Sequence, residues 1–145
     1  MIWRIIVAGR PSLSYAKAGI ADYLARLEAV TRIEAHFLKP SADLHDRMLG
    51  QSEGCFRILL DERGRQFTSK AFAAELQNLE NRAISKCAVL VGAADGWGDA
   101  MRAKADLLWS LGTLTLQHEL ALVVALEQIY RAGSIRAGTP YHREG

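Results

Sequence analysis

The chain has 145 residues, 50% hydrophobic and 23% charged, a balance that fits one folded domain over 1–145 and excludes intrinsic disorder. Its 18 Lys and Arg stand against 16 Asp and Glu for a net charge of +2, an excess too small to establish nucleic-acid binding. The longest uncharged apolar-rich stretch, Leu107 to His118, carries Ser, Thr and Gln and falls short of the roughly 20 residues that cross a bilayer, so no membrane span is expected.

Ile2 to Ala8 is a short apolar run ended by Gly9-Arg10-Pro11-Ser12, the pattern of a buried strand leading into a helix. With so few apolar residues and no small-residue cleavage site it reads as a first strand and not a signal peptide, which places the protein in the cytoplasm. Ser12 or Ser14 is set to cap a helix in which Ala16, Ile20, Tyr23, Leu24 and Leu27 recur at helical spacing to about Val30. Thr31 to Leu38 alternates, with Ile33, Ala35 and Phe37 on one face, and predicts a second strand. Lys39 to Gly54 is polar and broken by Pro40, Gly50 and Gly54, so it reads as a loop carrying a short helix at most.

Phe56 to Leu60 predicts a third strand, closed by the turn-like Asp61-Glu62-Arg63-Gly64. Thr68 or Ser69 then caps a helix through Phe72, Leu76 and Leu79 to about Ala83. Ala88 to Val91 is a fourth strand, short and apolar enough for the centre of a parallel sheet, and it runs into Gly92-Ala93-Ala94-Asp95-Gly96-Trp97-Gly98. A helical stretch from Asp99 to Ala105 precedes an apolar run at Leu107 to Ser110. The longest helix spans Glu119 to about Ala137 and is apolar on nearly all sides through Leu120, Leu122, Val123, Val124, Leu126 and Ile129. Such a helix must be covered, and a second subunit is the expected cover. Gly138 to Gly145 reads as an extended tail.

Alternating strands and helices predict the α/β class, a mainly parallel sheet flanked by helices, with ligands at the carboxyl ends of the strands. The glycine-bearing exits of strands one, three and four are the places to look for chemistry. Gly92 to Gly98 matches neither a dinucleotide fingerprint nor a phosphate loop, and its spacing fits a ligand loop and a plain turn equally. In the run Trp109 to His118, Ser110, Gly112, Thr113, Thr115 and Gln117 alternate with Leu111, Leu114 and Leu116, and main-chain groups there are placed to grip an adenine or ribose, though a buried connection has the same pattern. His118, at the foot of the long helix, suits a cap or core residue as well as a catalyst. Glu127 lies mid-helix on an apolar stretch and needs a partner, which Arg131 supplies from the right register. Cys55 and Cys87 form no C-x-x-C pair and have no histidine at ligand spacing; they read as small buried hydrophobes, and no metal site is expected. Arginines outnumber lysines and gather near the end, with Arg131, Arg136 and Arg143 against Glu144 alone, a bias that suits phosphate contacts. The terminal Tyr141-His142-Arg143-Glu144 joins an aromatic, an imidazole and a guanidinium in what composition alone treats as a frayed end.

The blocks Trp109-Ser110-Leu111, Leu114-Thr115-Leu116-Gln117-His118, Glu127-Gln128-Ile129-Tyr130-Arg131-Ala132 and Pro140-Tyr141-His142-Arg143-Glu144 resemble the ribosomal RNA large subunit methyltransferase H family in order and spacing. Weaker agreement extends upstream, at Val7 to Gly9, Ala21 to Leu24 and Leu60 to Gly64. That family belongs to the SPOUT class and methylates N3 of a pseudouridine in large-subunit ribosomal RNA, with S-adenosylmethionine as donor. The resemblance implies a SPOUT fold with a C-terminal trefoil knot and a homodimer that acts on large-subunit ribosomal RNA or the assembled ribosome. Carried onto matching positions, the cofactor residues are Leu60, Gly92 and Leu111 through Leu116. The tail is implied to reach the partner's active site, which makes Tyr141, His142 and Arg143 catalytic candidates, with His118 as a second-choice base.

Two departures from the family pattern carry expectations. The second glycine of the loop is Ala93, whose β-carbon is expected to crowd the cofactor. The arginine that family members commonly have four residues after the histidine is Leu122 here, and its loss is expected to weaken the grip on RNA. Those departures motivate a rival reading, a non-catalytic RNA-binding relative that keeps the dimer and the cofactor pocket. Without the resemblance, a small flavodoxin-like binding domain fits the same alternation of strands and helices.

Overall fold

The structure is a computed structural model that describes residues 1–142, the last of them by its main chain only. Strands β1 (Ile2–Ala8), β2 (Arg32–Leu38), β3 (Phe56–Gln66), β4 (Lys86–Val91) and β5 (Leu107–Ser110) form one parallel sheet in the order β2-β1-β4-β3-β5. Helices α1 (Ser14–Glu28), α2 (Leu44–Gln51), α3 (Ser69–Asn81), α4 (Asp99–Arg102) and α5 (His118–Ala137) cover both sides, as the expected α/β class requires.

Alternation along the strands divides the core. Trp3, Ile5, Val7, Cys87, Val89, Val91 and Trp109 pack with Ile20 of α1, Leu76 of α3 and Leu126 of α5. Ile6, Leu59, Ala88 and Leu90 face the other way, against Met48 of α2, Trp97 and Met101 of α4. Strands buried on both faces explain why β1 and β4 read as continuous apolar runs. Burial pushes the Cys87 thiol up to about 12, which makes it the inert hydrophobe expected, whereas Cys55 is only half-buried.

Four expectations are corrected. First, neither Ser12 nor Ser14 caps α1. Leu13 occupies the cap position without a side-chain bond, and the Glu119 carboxylate accepts from the main-chain N–H groups of Ser12 (2.6 Å) and Leu13 (3.0 Å) and from the Ser12 hydroxyl (3.2 Å). Second, Asp61 to Gly64 does not end β3. The strand resumes, and Trp109 of β5 pairs first with Leu60 and then with Arg65, so the four intervening residues bulge from the ladder. A β-carbon on Gly64 would lie 2.7 Å from the Trp109 nitrogen, so only glycine fits that crossing. Third, α5 takes part of its cover from its own chain: Leu122, Ala125, Leu126, Ile129 and Ala132 are buried against the sheet, α1 and α3. Fourth, the start of the tail is not extended. Gly138 takes a left-handed φ of 73°, Thr139 N donates to the Ser134 carbonyl at 3.1 Å, and a 3-10 turn at Pro140–His142 lays Tyr141 back along α5.

Other local readings hold. Thr68 caps α3 by accepting from Ala71 N at 3.0 Å. The polar segment after β2 contains one eight-residue helix, α2.

Candidate functional site

The carboxyl ends of β3, β4 and β5 lie side by side at one edge of the sheet and enclose a pocket of about 510 Å3, within the size range of ligand sites. Strand one, whose exit was also a candidate, contributes no lining residue. Its loop is instead tied to the site through Glu119, the second residue of α5. Of the sequence-predicted cofactor residues, Leu60, Gly92, Leu111, Gly112, Leu114, Thr115 and Leu116 line the pocket together with His118. Thr113 is exposed and does not line it.

The β3 exit supplies a buried ion pair. Asp61 is 9% exposed, and its carboxylate accepts from Arg102 Nε at 2.6 Å and from the Arg63 N–H at 2.9 Å. Burial alone would raise the Asp61 carboxyl, but those donors outweigh it and hold the group below its ordinary value. Arg102 reaches from α4 and also contacts Asp99 at 3.1 Å. Neither partner was legible in the sequence, because 41 residues separate them and no local pattern joins them.

The β4 exit is shaped by Trp97. Its ring lies against Gly92, where a β-carbon would stand 3.1 Å from Cε2, and its Nε1–H donates to the Leu60 carbonyl at 2.8 Å. His45 of α2 packs on the same indole, ring centroids 5.3 Å apart. One aromatic therefore clamps two strand exits together. Its place inside a glycine-rich loop was the signal that sequence reasoning passed over. Ala93 is exposed on the pocket lining.

The β5 exit turns at Gly112, whose φ of 147° is accessible to glycine. The Ser110 hydroxyl donates to the Gly112 carbonyl at 2.9 Å, and Thr115 donates to Glu62 at 3.2 Å across the mouth. Gln117 then caps α5, its Oε1 accepting from Glu119 N (2.9 Å) and Leu120 N (3.0 Å). With that oxygen committed, the amide nitrogen faces His118 Nδ1 at 3.3 Å. Gln117 thus donates to Nδ1, and a neutral His118 carries its proton on Nε2. In that state the ring is a donor from Nε2.

Leu122, four residues past the histidine, points into the core at 2% exposure and does not line the pocket.

Tyr141 does not line the pocket. Glu127, beside Tyr141, is nine residues from His118, about 14 Å along α5 at 1.5 Å per residue. Tyr141 donates to Glu127 Oε1 (3.2 Å) and meets the Tyr23 hydroxyl at 2.9 Å. Burial first, then these two neighbours, raise the phenol above its ordinary value, so Tyr141 stays protonated. The expected Glu127–Arg131 pair is present, with Arg131 Nη2 at 2.8 Å. Arg143 and the His142 side chain lie outside the described residues.

The family described as "Predicted SPOUT methyltransferase" matches residues 1–142. Proteins named "Ribosomal RNA large subunit methyltransferase H" are similar over nearly the whole length. The one from Thermus thermophilus is 42% identical, with 97% of each chain covered. The one from Deinococcus deserti is 40% identical, with 96% of this chain and 97% of the relative covered, and that from Rhizorhabdus wittichii is 37% identical with both chains fully covered. Among solved structures, a probable methyltransferase from Bordetella pertussis Tohama I superposes with a TM-score of 0.59 at 12% identity, over 90% of this chain and 95% of that one, a likeness of fold. A pocket at three parallel strand exits and this full-length similarity lead to one conclusion: the chain belongs to the ribosomal RNA large subunit methyltransferase H family of SPOUT methyltransferases.

Proposed function

We propose that the protein transfers a methyl group from S-adenosylmethionine to N3 of a pseudouridine in large-subunit ribosomal RNA, as a cytoplasmic homodimer acting on the RNA or the assembled ribosome. The carrying observation is that seven of the eight residues the resemblance assigns to the cofactor line one pocket, in a chain 42% identical to a named ribosomal RNA methyltransferase.

The residues present fit the donor. Leu60, Leu111, Leu114 and Leu116 offer apolar walls for an adenine and a methylene chain. Gly92 and Gly112 line the pocket without a side chain that would crowd a nucleoside. Arg102 pairs with Asp61, which offsets that group's repulsion of the donor's carboxylate. When bound, the donor supplies an electrophilic methyl carbon.

What remains for the protein is to orient the base and ease loss of its N3 proton. If that imide ionises about 2 to 3 units above neutral pH, release of its proton to solvent costs about 3 to 4 kcal/mol. Cations and N–H donors aimed at the flanking carbonyl oxygens offset much of that cost. His118, with its proton on Nε2, supplies one such donor at the pocket. Arg143 of the partner subunit supplies the positive charge and His142 of the partner subunit a further donor, and Tyr141 sits at the root of their tail. A base presented in a loop needs little unstacking to reach them.

The test is incubation with methyl-labelled S-adenosylmethionine and ribosomes lacking the modification. Label in large-subunit RNA, mapped to pseudouridine N3, supports the reading. No label, beside a family member that works in the same tubes, overturns it in favour of a non-catalytic RNA-binding relative.

A further inference from the structure

The turn that ends α5 leads Tyr141 into a cradle made by α1 and α5. Its hydroxyl has one proton, and Glu127 Oε1 takes it at 3.2 Å. The Tyr23 hydroxyl, 2.9 Å away, must therefore be the donor to Tyr141. The relay runs Tyr23 to Tyr141 to Glu127, across a separation of 118 residues at its first step. Glu127 is fixed in turn by Arg131 Nε at 2.9 Å and by Gln128 at 2.7 Å. The Tyr141 ring meets the edge of Tyr130, centroids 4.8 Å apart at 83°, and Arg131 lies over its face at 5.0 Å. Upstream, Thr139 is bonded to Ser134 through both its main chain and its hydroxyl.

This is more attachment than a frayed end requires, and it stops two residues short of Arg143. A tail that delivers a guanidinium to a reaction must leave from a fixed point, because displacement of about 1 Å at a reacting centre lowers rates by up to about a hundredfold. Resting on the catalytic role proposed above for the tail, we infer that Tyr23 and Glu127 are positioning residues that fasten Tyr141, and that Tyr141 is the anchor of the tail and not a group that touches the base.

The test is a double-mutant cycle with Tyr23→Phe and Tyr141→Phe, which delete hydroxyls and keep both rings. Each single variant is expected to lower kcat about three- to tenfold, the worth of one hydrogen bond, with KM for S-adenosylmethionine unchanged. The double variant is expected to be no slower than the slower single one. Losses that multiply would overturn the inference, because Tyr23 would then act on something other than Tyr141. A rise in KM for the donor with kcat unchanged would overturn it too, by placing these hydroxyls in donor binding.

Carboxypeptidase digestion followed by intact mass gives a readout independent of activity. Release is expected to slow at Tyr141 in the starting protein and to pass it several-fold faster in Tyr23→Phe and Glu127→Gln. Equal release from all three would overturn the anchor. If Arg143→Ala keeps full turnover, the tail's catalytic role fails, and with it the positioning role, while faster release would still establish the attachment itself.

Discussion

The first and last turns of α5 are finished by different means. At His118 the helix opens onto the pocket, and its terminal groups are held by side chains: Gln117 caps the first N–H groups, and Glu119 turns away to bind the loop after β1. At Gly138 the helix closes on a left-handed glycine, and the chain folds back to Ser134 within five residues. The pocket end is an assembly of distant segments, three strand exits and the β1 loop. The tail end is mostly sequence-local, with long-range ties from Tyr23 and from Arg136 to Glu80 and Gln77 of α3. A site that must admit a ligand leaves main-chain groups open and is therefore held by partners far away in sequence. An anchor has no such need and is finished mainly by nearby residues.

That contrast is broken most severely at Gly92. Gly92→Val sets branched carbons against the Trp97 ring, already 3.1 Å from where a β-carbon would stand. S-adenosylmethionine binding by calorimetry is expected to disappear while circular dichroism and oligomeric state are retained. A variant that still binds would move the donor site away from the β4 exit.

At the opposite end, deleting residues 139–145 is expected to leave a folded dimer with intact donor affinity and no transfer. Arg143→Ala is expected to lower turnover about 100- to 1,000-fold, the range for removal of one preorganised charge-stabilising donor. Equal losses in donor affinity would erase the proposed division between the two ends.

Smaller effects sharpen the pocket end. Asp61→Asn removes one half of the pair with Arg102 and is expected to reduce stability by about 1 to 3 kcal/mol in chemical denaturation. An unchanged midpoint would show that Asp99 alone satisfies Arg102.

The smallest effect is a pH dependence. The Leu13 N–H, with the Ser12 N–H and hydroxyl, holds the Glu119 carboxyl below its ordinary value, and Asp61 is likewise lowered. Groups lowered in the folded state bind fewer protons there than when unfolded. They stabilise the protein above the ordinary carboxylate range and lose that contribution as pH falls through their folded values. The melting temperature is expected to fall on acidification from neutral pH to about pH 3, and less steeply in Glu119→Gln. Parallel profiles for the two proteins would remove Glu119 from the acid response.

Much of this was legible in the residues. Ile2 to Ala8 and Ala88 to Val91 read as buried strands because a parallel sheet covered on both faces needs continuous apolar runs. Thr68 announced α3 because a hydroxyl three residues before a free N–H is a local device. The Glu127–Arg131 pair followed from helical register. The motif blocks from Trp109 onward contain Leu111, Leu114, Leu116 and His118, which line the pocket.

Other features were decided only when distant segments met. Asp61 to Gly64 has the composition of a turn, and only the approach of β5 at Leu108 and Trp109 turned it into a bulge within one long strand. The loop that leads into α1 is held by Glu119, more than 100 residues later in the chain. Asp61 finds Arg102 across 41 residues, and Tyr141 finds Tyr23 across 118. Periodicity, capping and motif spacing are one-dimensional and are fixed by the chain alone. Ion pairs, caps and relays between remote residues depend on which strand exits the packed sheet sets side by side, and no local pattern encodes that.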